Sequence, residues 1–133
     1  MNGVVPFVRH MLLCDDFRHD PSAPNKVDIL GLVSTIQSHG DPPFPLHHPL
    51  LCVYLELTGG RGTGQANIAI RQADTGLVLS LTAPHAVTFP PDPLAIRGLG
   101  FRILDCVFPT PGLYWVQFCY NQNVLAEQSV LVR

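Results

Sequence analysis

The stretch Phe108-Pro-Thr-Pro-Gly-Leu-Tyr114-Trp-Val-Gln-Phe-Cys-Tyr-Asn-Gln-Asn-Val-Leu-Ala-Glu-Gln-Ser-Val-Leu-Val-Arg133 decides the fold. A Pro-Gly pair launches a strand in which aromatic and apolar residues alternate. The polar Asn-Gln-Asn then reverses the chain into a second alternating strand. Period-two alternation on either side of a short polar turn is the signature of an antiparallel hairpin. Tyr114, just past the Pro-Gly turn, has two readings: a side chain that packs in the core, or one whose hydroxyl also ties down a neighbouring loop.

Working outward, apolar residues come in short or alternating runs cut by Gly, Pro, Asn and Asp, and no stretch holds a helical period. The pattern predicts strands at Val5–Cys14, Val27–Gln37, Leu50–Leu57, Gln65–Gln72, Leu77–Ala83, His85–Phe89 and Gly98–Phe108, besides the terminal pair. Asp15–Asn25 and the proline-rich Asp41–Pro49 read as loops. The expectation is one domain over 1–133, an all-β, antiparallel, two-sheet sandwich of immunoglobulin-like type with eight or nine strands. Its core is expected from Leu51, Val53, Leu55, Ile68, Ile70, Phe101, Ile103, Tyr114, Val116 and Phe118.

Composition narrows the function. Only 14% of the 133 residues are charged, the net charge is −2, and Lys26 is the one lysine. Arginines are scattered, so no basic stripe exists to displace counterions from a phosphate backbone, and nucleic acid is not an expected partner. The first ten residues lack a basic leader, and no run is long enough to cross a bilayer, so the expected place is the cytoplasm. Cys14, Cys52, Cys106 and Cys119 lie in apolar segments without C-x-x-C spacing. Buried free thiols are the first reading, and a disulfide between sheets, Cys52 with Cys119, the sharper one.

Chemistry-bearing motifs are few. Gly59-Gly-Arg-Gly-Thr-Gly64 has a phosphate loop's composition but no following lysine, which makes it a hairpin turn. His39, Asp41, His47 and His48 crowd a loop, and Asp15 and Asp16 form a small acidic pair with Asp20 nearby; these are the candidate ligands for zinc or calcium. No nucleophile sits in a recognisable setting. No cofactor is expected, and an enzyme is the less favoured reading.

Leu13-Cys-Asp-Asp16, Asn25-Lys26 leading to Ile29-Leu-Gly31, Leu57-Thr-Gly-Gly-Arg-Gly62 and Phe108-Pro-x-Pro-Gly-x-Tyr114 occur in one order. This series resembles a bacterial family of small proteins classed only as a domain of unknown function. The resemblance implies a cytoplasmic β-sandwich and supplies no functional residue. The leading expectation is a non-enzymatic interaction module, a homodimer. Trp115, Gln117, Tyr54 and Glu56 point away from the expected core, and outward aromatics are favoured anchors of interfaces. The alternative is a metal- or small-ligand-binding protein using the loop His and Asp residues. Sugar binding on Trp115 and Tyr54 ranks last.

Overall fold

The computed structural model describes residues 3–133. Its strands are β1 (Phe7–Asp20), β2 (Ala23–Leu32), β3 (Thr35–Ile36), β4 (Leu46–Thr58), β5 (Thr63–Gln72), β6 (Val78–Leu81), β7 (His85–Thr88), β8 (Ile96–Phe108), β9 (Gly112–Tyr120) and β10 (Asn123–Val132). They form a four-stranded sheet, β2-β1-β4-β8, and a six-stranded sheet, β3-β10-β9-β5-β6, with β7 also on β5. All pairings are antiparallel except β3 with β10. No helix is present among the described residues, and so none is long and apolar enough to cross a membrane.

The sheets meet face to face. Leu51, Val53, Leu55 and Leu57 of β4 and Phe101 and Ile103 of β8 pack against Ile68 and Ile70 of β5 and Val116 and Phe118 of β9. The Phe101 and Phe118 rings lie 6.3 Å apart across the interior. All ten expected core residues are buried. Each large side chain so removed from water contributes roughly 1.5–3 kcal/mol, which is why alternation alone sets the inner faces.

The hairpin that opened the reading is present. Tyr120 pairs with Asn123, and Asn121 and Gln122 both take positive φ, 49° and 69°. That is the backbone twist a two-residue hairpin loop needs. Tyr114 meets both of its readings. Its ring is fully buried and edge-on to Phe108 at 4.9 Å, and its hydroxyl donates to the Thr110 carbonyl at 2.5 Å.

Four expectations need correction. Asp41–Pro49 is not all loop: Leu46–Pro49 begins β4, with His47 and His48 opposite Val107 and Cys106 of β8. Asp15–Asn25 is no loop: β1 runs on to Asp20 and turns at Pro21-Ser22 into β2, the turn held by Asp20 Oδ1, which accepts from Ser22 N at 2.9 Å and Ser22 Oγ at 2.7 Å. Val27–Gln37 is not one strand: Gly31 takes φ 66°, β2 ends at Leu32, and the chain crosses to the other sheet as β3. Strands among the described residues therefore number ten instead of eight or nine. The Cys52–Cys119 disulfide is excluded because the two residues stand on the outer faces of different sheets. All four thiols are free and buried.

Candidate functional site

β1 pairs with β4 only from Phe7 to Cys14. Beyond Cys14 it stays paired with β2 but leaves β4. The resulting two-stranded arm lies over the outer face of its own sheet. Phe17, carried by the arm, packs against Tyr54 with ring centres 5.6 Å apart. The Arg102 guanidinium of β8 sits 4.0 Å above the Phe17 ring, and it also pairs with Asp16 at 3.4 Å. A side chain at Gly100 would occupy the place of the Phe17 ring, and one at Gly98 the place of the Tyr54 hydroxyl. Those two glycines make room for the cover.

Cys14, Phe17, Cys52 and Tyr54 thus form a second, smaller apolar cluster outside the main core. Cys14 and Cys52 are direct cross-strand partners, and Cys52 Sγ donates to the Asp15 carbonyl at 3.4 Å. Burial, followed by the neighbouring Cys52 and the nearby aspartates, pushes the Cys14 thiol up to about 11. Burial raises Cys52 too, although Arg102 opposes it. Both thiols are neutral and inert as nucleophiles at physiological pH.

The four expected interface residues therefore separate. Tyr54 is only 7% exposed. Glu56 is half-buried and pairs with Arg9 at 3.6 Å, with His10 at 3.9 Å. Trp115 and Gln117 stand on the outer face of the six-stranded sheet, on the other side of the molecule, so Trp115 and Tyr54 make no common sugar platform. On that second face Trp115 is half-buried between Arg71 and Ser129 on the flanking strands. Gln117 Oε1 accepts from Arg71 Nε at 3.0 Å, and Gln117 Nε2 donates to Glu127 Oε1 at 3.0 Å. This bridge runs across β5, β9 and β10. Leu113, Val78 and Leu81 add exposed apolar surface nearby, and no segment among the described residues folds over the face as the arm does over the other.

The expected metal ligands come partly together. Asp15, His39, His47 and His48 line one groove of about 600 Å3 with Pro42, Pro43 and Pro45. Asp41 and Asp16 lie off it. Ser38 Oγ donates to the Pro43 carbonyl at 2.6 Å and closes the proline loop on itself. The His48 Nε2 atom is buried without a hydrogen-bond partner, an uncommon and costly state for a ring nitrogen. Among the described residues no three His, Cys, Asp or Glu side chains converge as a ligand set for a metal ion.

Sequence reasoning missed the arm, and with it the Cys14–Cys52 pair. The available signal was Phe17 inside an otherwise polar segment, together with Gly98 and Gly100 two residues apart on one strand face. A strand missing two side chains on the same face leaves room for something to lie across it.

A family model described as Family of unknown function (DUF6941) matches residues 9–133, in line with the resemblance read from the motifs. No curated protein matches the chain. Among solved structures, the alkylpurine DNA glycosylase AlkC of Pseudomonas fluorescens, bound to DNA containing an abasic site analog, aligns over 96% of this chain at 10% identity and a TM-score of 0.56. Beta-D-glucoside glucohydrolase from Trichoderma reesei aligns over 97% at 12% identity with a TM-score of 0.49. Beta-glucosidase from Listeria innocua aligns over 86% at 12% and 0.48. This chain spans 30%, 19% and 18% of those three chains respectively. At such identity the likeness to the glycosylase is one of fold alone.

Proposed function

We propose a non-enzymatic interaction module for this chain, which belongs to the Family of unknown function (DUF6941). The module acts in the cytoplasm and self-associates through the outer face of its six-stranded sheet. One observation carries the reading: the outer face of the four-stranded sheet is covered by the chain's own arm, whereas the face bearing Trp115 has no such cover. The occupant is a second copy. Arg71 and Glu127 flank Gln117 on opposite sides. A copy turned about an axis along β9 sets its Glu127 over Arg71, and the reverse, around a central pair of Trp115 rings. Opposite charges around an aromatic centre are what a self-complementary interface needs. The four unpaired thiols support a reducing compartment. Light scattering of the purified protein tests the reading. The native chain should run as a multimer and Trp115→Ala at lower mass; an unchanged mass for that variant would sink it.

A second reading has its own observation. His48, whose buried Nε2 has no partner, lines a groove together with Asp15, His39 and His47. It supports a small-ligand or metal site formed when a ligand draws these side chains together. Titration of untagged protein with zinc, followed by calorimetry, should give one site that His48→Phe abolishes. Absence of binding heat would remove this alternative.

A further inference from the structure

We infer that the free edge of β8 is a self-pairing site, at which two copies join their four-stranded sheets into one continuous sheet. β8 is terminal in its sheet and pairs only with β4. An unpaired strand edge invites another strand, and proteins commonly guard it with prolines, lysines, bulges or brevity. The other edges carry such guards. β2 contains Pro24, Lys26 (the chain's one lysine), Asp28 and the left-handed Gly31. β3 has two residues, and β6 and β7 have four each. β8 spans 13 residues with neither proline nor lysine, and its one backbone irregularity, Asp105 at φ 52°, falls near its far end. Ile96–Leu104 is therefore a long, regular, unguarded edge.

The residues along it complement themselves. With two copies antiparallel and centred on Phe101, Arg97 of each copy comes to the end of the other's regular edge, where Asp105 closes it. Gly98 then faces Leu104, and Gly100 faces Arg102. Centring one residue later would put Arg102 against itself, and centring midway between Leu99 and Gly100 would put Arg97 against Arg102. Both place like charges directly opposite, which is unfavourable. The Gly98 carbonyl already accepts from the chain's own Arg97 Nη1 at 3.2 Å, so it points away from β4. In an antiparallel ladder alternate residues share that direction, which gives Gly98, Gly100, Arg102 and Leu104 the new backbone bonds. Ile96 and Leu104, 52% and 70% exposed, become diagonal neighbours across the seam.

This contact goes beyond the Trp115 face and stands on separate residues. Two different twofold contacts on one chain close as a tetramer or continue as a filament. Sedimentation velocity on the full chain tests it with Arg97→Asp and Leu104→Lys, both at exposed side chains, and with Arg97→Lys as the conservative control. Each of the first two should lower the assembled mass at least twofold, while Arg97→Lys leaves it unchanged. Thermal melts of all three confirm folding. If neither disruptive variant changes the mass while Trp115→Ala does, the edge contact is overturned and the face reading stands. If the edge variants halve the mass and Trp115→Ala does not, the edge contact holds and the face reading falls. A native protein running at its monomer mass of 14.6 kDa overturns both.

Discussion

The two sheets carry the same alternation on β4 and β9, yet their outer faces end in different environments. On β4 the outward residues Cys52 and Tyr54 lie beneath an arm of β1 and β2, and Glu56, next in the series, pairs with Arg9. On β9 the outward series Trp115, Gln117, Cys119 is covered by no other strand. The covered face holds aromatic rings, two thiols and a guanidinium stacked on Phe17. The uncovered one carries a polar bridge from Arg71 through Gln117 to Glu127. An outward aromatic thus has two destinies, a cover supplied by its own chain or a surface left for something else. Only the first is a matter of folding stability.

That contrast can be broken directly. Phe17→Ala removes the ring on which Arg102 and Tyr54 rest and should cost about 3 kcal/mol in urea unfolding, as much as a main-core deletion although Phe17 lies outside that core. A cost below about 1 kcal/mol would mean the arm adds little to the fold. Gly100→Ala pushes a methyl into the place of the Phe17 ring and should destabilise by about 2 kcal/mol. On the uncovered face, Trp115→Ala should cost only about 1 kcal/mol while changing the assembled mass. Gln117→Ala cuts the bridge between Arg71 and Glu127. It should shift stability by no more than about 0.5–1 kcal/mol, because hydrogen bonds open to water contribute little.

The thiols sharpen the same comparison by pH. Burial raises Cys14 under the arm, and Cys106 in the core, to about 11. An unfolded thiol gives up its proton near pH 9, so it deprotonates first in the unfolded chain. Their contribution to stability is therefore whole below pH 9 and is lost as pH climbs from 9 towards 11. Melting temperature should fall across that window, and Cys106→Ala should flatten the decline. A curve flat from pH 8 to 11 in the native protein would refute the burial of both.

Much of this architecture was legible beforehand, and the reason is local. Burial at every second residue is recorded by alternation, so the inner faces of β4, β5, β8 and β9 could be named one residue at a time. Asp15–Asn25 reads as a loop because its polar residues are equally at home in a loop and in an arm with one side to solvent. The groove of Asp15, His39, His47 and His48 was half legible: three of its members are near neighbours in sequence, but which side chains face one space depends on how the proline loop folds back. Cys14–Cys52 was not legible at all, since cross-strand register is set between residues far apart in the chain.

Period-two burial and turn chemistry act over a few residues, and so an all-β chain, its terminal hairpin and its core are written locally. Pro24 and Lys26 are likewise written in the sequence, but their place on a sheet edge is not. Which outward face is covered, which cysteines meet and which strand ends a sheet follow from the assembled fold alone. Those outcomes depend on long-range pairing, in which β1 leaves β4 after Cys14 and takes β2 across the sheet. No local pattern encodes that departure, because the energy that favours it comes from Phe17 meeting Tyr54, Gly100 and Arg102, residues brought together only when the sheet has formed.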